Sequence, residues 1–161
     1  MNQLDQKENT SIDQYVIFKL QDESYGVSIH YVEIIEKVSV ITRVPNAATY
    51  IMGVINLRGE IVPVVNLRQM FELEDAPITD ESRIIILSVD DIIVGLMTDS
   101  SSEVLTIPQE DIETASGILS DVEISAIKGI GKVGERMIMM LDIHKILGFK
   151  SQDSQERSLD H

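Results

Sequence analysis

The chain of 161 residues has the length of one domain or of two very small ones. It contains no cysteine, which excludes a disulfide framework, a thiolate metal site and a cysteine nucleophile. Its formal net charge of −14 argues against nucleic acid or an anionic membrane as the main partner. No apolar run approaches the ~20 residues that span a bilayer, and the polar start lacks the apolar stretch of a secretory signal. We therefore expect a cytoplasmic protein with no segment inserted in a membrane.

The composition favours strands. The chain has 24 Ile and 15 Val against 12 Leu and 5 Ala, and side chains branched at Cβ pack well on a pleated surface. The charge is uneven, because residues 72–127 contain 14 acidic residues and one basic residue. Two interpretations of this acidic stretch stay open: a solvated surface, or one acidic face presented to a basic partner.

Short strand-like runs alternate with turn signals along the chain, a pattern typical of an all-β sandwich or barrel. Hairpins are predicted for residues 15–20 with 25–29 around Asp22-Glu23, and for residues 83–89 with 92–97 around Asp90-Asp91. Short helical segments are predicted after Pro45, after Pro108 and over residues 142–147, with Gly148 as a stop. We expect disordered tails at 1–14 and 150–161 on either side of a folded unit at 15–149.

An internal repeat is visible. Residues 53–71 align without a gap on residues 129–147, at an offset of 76, and Gly26 aligns with Gly95 at an offset of 69. Residues 15–71 and 83–147 therefore look like two copies of one unit. A unit with many short strands can close into a small five-stranded barrel, which removes exposed edges. We predict an all-β protein of two such barrels, each made chiefly from one copy, with the end of one copy free to complete the other barrel.

Catalytic templates find little support. The three histidines, at positions 30, 144 and 161, form no spacing typical of a nucleophile triad. Asp142 and His144 could supply only two of the three or four ligands that a metal needs. Residues 129–134 match the GxGxxG pattern, but the next segment has the pattern of a strand, so we interpret these glycines as turn residues. We expect no catalytic site, no metal and no cofactor.

One surface feature has a binding interpretation. Arg58-Gly59 separates two apolar runs, and Gly59 can supply the positive φ that a tight hairpin demands. This places Arg58 at an exposed tip, where it is either an ordinary surface arginine or a recognition arginine. Pro63 cannot donate to a ladder, so its strand should be an edge or contain a bulge at that point.

The stretch GVINLRGEIVPVVNLR, residues 53–68, resembles the signature of the CheW family, the coupling proteins of bacterial chemotaxis. It is preceded by Thr42-Arg43-Val44-Pro45-Asn46 and Tyr50-Ile51, and the resemblance extends over about residues 15–148. It implies two five-stranded SH3-like barrels, a fold shared with the regulatory domain of the histidine kinase CheA.

The resemblance also implies a function. A CheW-like protein is a non-enzymatic adaptor that couples the regulatory domain of CheA to the cytoplasmic tips of methyl-accepting chemoreceptors. It would be monomeric when free and recruited to receptor clusters at the membrane. An alternative within the same resemblance is a scaffold of a chemosensory pathway that does not control swimming.

Site residues follow from the same resemblance. Receptor binding is expected at Arg58, Asn56 and Val32, together with the groove between the barrels. Kinase binding is expected at Val32, Glu33, Glu36, Gly53 and Ile118. In the family a glutamate that follows this valine is implicated in kinase binding. The acid is shifted in this sequence, and whether Glu33 or Glu36 serves stays open.

Overall fold

The computed structural model describes residues 13–48, 50–114 and 126–148. In these ranges strands are the main secondary structure, as the β-branched composition favours. The strands are β1 (Gln14–Leu20), β2 (Glu23–Ser28), β3 (Val32–Lys37), β4 (Ile51–Leu57), β5 (Glu60–Asn66), β6 (Arg83–Val89), β7 (Ile92–Thr98), β8 (Ser100–Thr106), β9 (Ile112–Thr114), β10 (Ile127–Val133) and β11 (Arg136–Leu141). The helical segments are α1 (Leu67–Met70), α2 (143–148) and two 3-10 turns, Ile29–Tyr31 and Gln109–Asp111.

The strands form two sheets, and each curls into a small SH3-like barrel. Barrel 1 has the order β8-β1-β2-β11-β10-β9, and barrel 2 has the order β3-β6-β7-β5-β4. The predicted all-β fold of two barrels is confirmed. Barrel 1 differs from the expected five strands, because the short strand β9 adds a sixth at its edge.

Each barrel combines strands from both copies of the repeat. Barrel 1 takes the hairpin β1–β2 from the first copy and β8 to β11 from the second, whereas barrel 2 takes β3 to β5 from the first copy and the hairpin β6–β7 from the second. The hairpin at the start of each copy is therefore the exchanged part, rather than the end of a copy. A parallel pair joins the exchanged hairpin to its host barrel in both cases, β2 with β11 and β7 with β5.

The two junctions use equivalent residues. Gly26 lies opposite Met140 in the first parallel pair, and Gly95 lies opposite Val64 in the second. A Cβ at Gly95 would lie 2.7 Å from Cγ2 of Ile84, and one at Gly26 would lie 3.2 Å from Cδ1 of Ile17. Both glycines thus leave room for an isoleucine that packs across the barrel interior.

The hydrophobic core has three parts. One small cluster fills barrel 1 and another fills barrel 2. The largest cluster, here called the inter-barrel core, lies between the barrels and receives equivalent residues from both exchanged hairpins: Val16, Phe18, Leu20, Tyr25 and Val27 from barrel 1, and Ile85, Leu87, Val89, Val94 and Leu96 from barrel 2. Strand β6 is buried on both faces for this reason, since alternate side chains enter the interior of barrel 2 and the inter-barrel core.

Several local predictions are confirmed and three are corrected. The second hairpin turns at Asp90 and Asp91, a 3-10 turn follows Pro108, and a helix follows Asp142. The first hairpin turns one residue earlier than predicted, at Gln21-Asp22. The segment after Pro45 is a turn and no helix, because Asn46 has φ +64°, outside the helical region. Gly148, predicted as a stop, is still in α2.

Two further predictions were wrong. Strand β5 is internal, paired with both β4 and β7, although it contains Pro63. The bulge of the β4–β5 ladder lies on β4, between Ile51 and Gly53, and Pro63 is in regular register with Val54. The ladder of β5 with β7 begins only at Val64, so Pro63 lies just outside that pairing. Of the three glycines interpreted as turn residues, only Gly134 lies in a turn, and Gly129 and Gly131 lie within β10. Without a Cβ, Gly129 allows the close approach of Glu113 and Gly131 allows that of Met140.

Candidate functional site

Arg58 lies at the tip of the β4–β5 hairpin, as predicted. The two-residue turn has φ +53° at Arg58 and φ +89° at Gly59, the pattern of a type I′ turn. The Asn56 side chain stabilises this turn, because its Oδ1 accepts a hydrogen bond of 2.9 Å from the Gly59 amide. Asn56 therefore lies beside Arg58, and its side chain stabilises the turn.

The guanidinium of Arg58 points into solvent and makes no ion pair with any residue that the structure describes. The equivalent β10–β11 hairpin of barrel 1 differs. There, Arg136 donates two hydrogen bonds of 3.1 and 3.0 Å to Glu103, and Lys132 lies 2.7 Å from Glu113. The hydrogen bonds to Glu103 raise the pKa of Arg136 above its usual value. Arg136 and Lys132 of the second hairpin are therefore paired with carboxylates, whereas Arg58 of the first hairpin pairs with no described carboxylate.

The repeat gives an internal reference for the backbone of Arg58. At an offset of 76 residues the equivalent position is Gly134, which has φ +61°. Glycine adopts this left-handed conformation without steric penalty, whereas a residue with a Cβ incurs about 1–2 kcal/mol. Barrel 2 thus keeps an arginine where barrel 1 has the residue that the backbone prefers. Strained positions of this kind cluster at functional sites.

The next expected residues lie around the start of β3, at an edge of barrel 2. Val32 is half-buried and packs against the inter-barrel core. A bulge follows it, in which Glu33 is the exposed extra residue. Glu36 is half-buried opposite Ile84. Of the two acids, Glu33 is the one that projects from the edge of barrel 2.

Gly53 allows a close approach of two backbones. A Cβ at this position would overlap the carbonyl of Thr42 and would lie 2.9 Å from Cγ2 of Ile41. Thr42 and Val54 exchange hydrogen bonds of 2.9 and 2.8 Å across this contact. Gly53 therefore fixes the loop 38–48 against β4 and is itself buried. The remaining expected residue, Ile118, lies outside the residues that the structure describes.

A groove that the sequence did not indicate lies at the other end of β4. It has a volume of about 770 Å³ and is formed by the loop 38–48, the start of β4, α1 and the loop 72–82. Its lining residues are Ile41, Arg43, Val44, Pro45, Asn46, Ala47, Ala48, Ile51, Met52, Asn66, Gln69, Asp75 and Ile78. Four separate segments of the chain line the groove, so no local sequence pattern predicts it. The Thr42–Asn46 stretch of the family motif was the one part of the groove that the sequence singled out.

A partly buried ion pair stands behind this groove. Arg68 of α1 donates to both carboxylate oxygens of Asp99, with Nε 3.0 Å from Oδ1, and Asp99 also accepts from the Gln21 amide at 2.8 Å. Burial raises the pKa of Asp99, but the hydrogen bonds from Arg68 and Gln21 outweigh it and hold the pKa below its usual value. The Asp99 contact raises the pKa of Arg68 in turn. The pair ties α1 of barrel 2 to the β1–β2 turn of barrel 1.

The equivalent of Arg68 in the second copy is His144. Its Nε2 lies 3.6 Å from Asp90 in the β6–β7 turn, and its ring meets Tyr31 edge to face at 5.6 Å between centroids. Both side chains of this contact are mostly exposed. The two ends of the seam between the barrels are thus closed differently, one by a double hydrogen-bonded pair and the other by a loose contact.

The described part of the chain contains no group of three or more His, Asp or Glu residues able to hold a metal ion. It also contains no helix long and apolar enough to cross a membrane. The candidate residues above lie at a hairpin tip, on edge strands and around a groove.

The fold and these surfaces define a two-barrel, all-β protein-binding domain. Residues 14–150 match the family model of the CheW-like domain, and the chain belongs to this family. It is 38% identical to "Chemotaxis protein CheW" of Bacillus subtilis (strain 168), over 88% of this chain and 91% of that protein. It is 33% identical to the protein of the same description from Treponema pallidum, over 89% of this chain and 85% of that one. The crystal structure of the scaffolding protein TtCheW from Thermoanaerobacter tengcongensis superposes with a TM-score of 0.75 at 32% identity, covering 81% of this chain and 88% of that chain.

Proposed function

We propose that this protein is a chemotaxis adaptor that couples methyl-accepting chemoreceptors to the histidine kinase CheA, so that the state of the receptor controls the kinase. Membership of the CheW-like family and the likeness to a scaffolding protein support this function. The observation that supports it best in this chain is Arg58, an exposed arginine unpaired among the described residues, on a strained turn whose equivalent in the other barrel is glycine. The protein acts by binding and performs no catalysis.

Arg58 is proposed as the receptor contact. A guanidinium offers a fork of donors, which suits the carboxylate and carbonyl acceptors of a helical receptor tip. Asn56 contributes by holding the turn through its bond to Gly59. Val32 packs at the seam between the barrels, where it would shape the surface next to the receptor.

The kinase contact is proposed at the edge of barrel 2. Glu33 is exposed in the bulge of β3 and is the better placed of the two acids, since Glu36 is half-buried. Gly53 supports this surface indirectly, by letting the loop 38–48 lie on β4. Comparing Glu33→Gln with Glu36→Gln in a binding assay with the CheA regulatory domain separates the two acids, and only the first is expected to weaken binding.

The decisive experiment measures receptor-dependent kinase activation in a reconstituted mixture of receptor, CheA and this protein. Arg58→Ala should lower activation strongly while binding of the CheA regulatory domain persists, and Arg58→Glu should be worse. The matched control is Arg136→Ala, which removes the arginine of the equivalent hairpin, and it should activate normally. Full activation by a folded Arg58→Glu protein would remove Arg58 from the receptor site.

A further inference from the structure

The chain passes between the two barrels at two places in the described ranges. The first is the 3-10 turn Ile29–Tyr31, which leads from β2 into β3, and the second is Asp99, the single residue between β7 and β8. A connection of one residue has only two soft backbone dihedral angles, so the direction in which β8 leaves barrel 2 depends directly on Asp99. Asp99 is therefore the shorter of the two covalent links between the barrels.

Asp99 is also hydrogen-bonded to both barrels. Its amide donates to the Lys19 carbonyl of β1 at 2.9 Å, and its carboxylate accepts from the Gln21 amide of the β1–β2 turn at 2.8 Å. From barrel 2, Arg68 donates to both carboxylate oxygens, with Nε 3.0 Å from Oδ1. A guanidinium and a carboxylate joined by two parallel bonds fix each other's orientation as well as their distance. Asp99 therefore holds the barrels in one relative orientation at this end of the seam.

The internal repeat shows that the other end of the seam lacks this arrangement. At an offset of 69 residues the equivalent of Asp99 is His30, and at an offset of 76 the equivalent of Arg68 is His144. His30 makes no ion pair with the residues that the structure describes. His144 contacts Asp90 at 3.6 Å, with side chains 59% and 82% exposed, against 14% and 31% for Arg68 and Asp99. Exposed contacts of this kind contribute little, so the directional contact is confined to the Asp99 end.

Apolar contacts across the seam do not replace this pair. The inter-barrel core keeps the barrels together, but burial of apolar surface is not directional. Phe71, which follows α1, stacks on Tyr25 of barrel 1 at 5.5 Å between ring centroids. Stacking of this kind is favourable over a wide range of centroid separations, about 4.5–7 Å. The contact between Arg68 and Asp99 is therefore the one that selects a single orientation.

The pair is connected to the Arg58 tip through one strand. Strand β5 begins at Glu60, next to that tip, and leads directly into α1, which contains Arg68. The orientation that Arg68 fixes is thus also the orientation in which the Arg58 tip stands relative to barrel 1. The receptor surface proposed above extends from Arg58 to Val32 at the seam, whereas the kinase contact at Glu33 lies on the edge of barrel 2 alone.

We propose that Asp99 is a positioning residue for receptor binding. Together with Arg68 it holds the two barrels in the orientation in which the Arg58 tip and the seam contact one receptor at the same time. Binding of the kinase at the edge of barrel 2 does not depend on this orientation. The inference rests on the proposed function, and it predicts that the two partners respond differently to loss of the pair.

The absence of cysteine permits spin labelling at chosen positions. Ile61→Cys on barrel 2 and Glu110→Cys on barrel 1 place labels at exposed sites, and pulsed electron paramagnetic resonance measures the distribution of distances between them. Asp99→Asn should shift or broaden this distribution. The matched control is Arg136→Gln, which breaks a doubly hydrogen-bonded pair with Glu103 inside barrel 1 and should leave the distribution unchanged. An unchanged distribution in a folded Asp99→Asn protein would overturn the proposal.

Separate titrations with a receptor-tip fragment and with the CheA regulatory domain test the effect on binding. Asp99→Asn and Arg68→Gln should each weaken receptor binding about fivefold or more, while kinase binding stays within about twofold of the wild type. Because each variant removes the same pair, the double variant should bind the receptor no more weakly than either single variant. Losses that add in the double variant, or that are equal for the two partners, would overturn the positioning role.

The same titrations separate this inference from the proposed function. Each is made well below the unfolding temperature of the variant, so that a loss of stability does not enter the comparison. Failure of the wild-type protein to bind the receptor tip or the kinase would refute the proposed function. Receptor binding by Asp99→Asn as strong as that of the wild type would refute only the role of Asp99.

Discussion

Replacement of Arg58 tests whether this chain keeps a strained residue for binding. The side chain makes no ion pair with described residues, so its removal costs little packing. The turn has the type I′ geometry, for which Asn-Gly is strongly preferred. Because asparagine tolerates the left-handed region and arginine incurs about 1–2 kcal/mol there, Arg58→Asn should raise the free energy of unfolding by about 0.5–1 kcal/mol.

The other substitutions at this position have calculable effects. Arg58→Gly relieves the same strain but costs about 0.5–1 kcal/mol in conformational entropy, so its stability should stay close to that of the wild type. Arg58→Ala keeps the strain and should lie within about 0.5 kcal/mol of the wild type. Gly59→Val is the internal control. A Cβ there meets nothing within 4 Å, so the expected loss of about 1–2 kcal/mol comes from φ alone.

Binding should follow a different order from stability. Urea unfolding with an unchanged m-value measures the stability series, and a pull-down with a receptor-tip fragment measures binding. Every variant at position 58 should bind weakly, including the stabilised Asn variant, and Lys should restore binding only in part because an ammonium lacks the planar fork. An Arg58→Asn protein that is more than about 1 kcal/mol less stable than the wild type, or that binds the receptor fully, would refute the reasoning.

Three other outcomes follow from the structure. Gly53→Ala should lower the free energy of unfolding by about 1–3 kcal/mol through overlap with Thr42, and a loss below 0.5 kcal/mol by urea unfolding would contradict the contact. Asp99→Asn should lower the free energy of unfolding by about 1–2 kcal/mol near neutral pH. Because the pKa of Asp99 is depressed in the folded state, this difference should persist above pH ~4 and vanish as the pH falls through the folded pKa. A difference in the free energy of unfolding that does not change with pH would exclude the charge as its cause. Association of this protein with CheA should slow as salt rises, if the acidic residues of 72–127 face the kinase; a rate that is flat with salt in stopped-flow mixing would leave them a role in solubility alone.

The Arg58 hairpin was predictable because its signals are local. Two apolar runs around Arg58-Gly59 suffice for a tip with an exposed arginine. The positive φ of Arg58 itself was not predictable, since a glycine in second place also fits a type II turn, in which the first residue has negative φ. Equivalent positions of the repeat also cap the two helices, which no sequence prediction covered: Asn66 accepts from the Gln69 amide and Asp142 accepts from the Lys145 amide.

Long-range pairing was not predictable in the same way. The run of β-branched residues in β6 indicates a strand buried on both faces, but no periodicity says that its neighbour is β3 of the other copy. The exchange of hairpins, the internal position of β5 and the groove at loop 38–48 all depend on segments distant in sequence. The sequence patterns that indicate a strand concern one segment at a time, so they do not predict which strands pair or which loops meet.

The hairpin exchange also sets the order in which the barrels can be completed during synthesis. The strands of barrel 2 all lie between Val32 and Thr98, so this barrel can close while the C-terminal part is still being made. Barrel 1 begins earlier in the chain but requires β11, which ends at Leu141. At about 5–20 residues per second, the β1–β2 hairpin waits several seconds for its partners. During that interval Val16, Phe18 and Leu20 can already pack on the finished barrel 2 through the inter-barrel core. Barrel 2 can thereby shield the apolar side chains of β1 from water until the rest of barrel 1 has been synthesised.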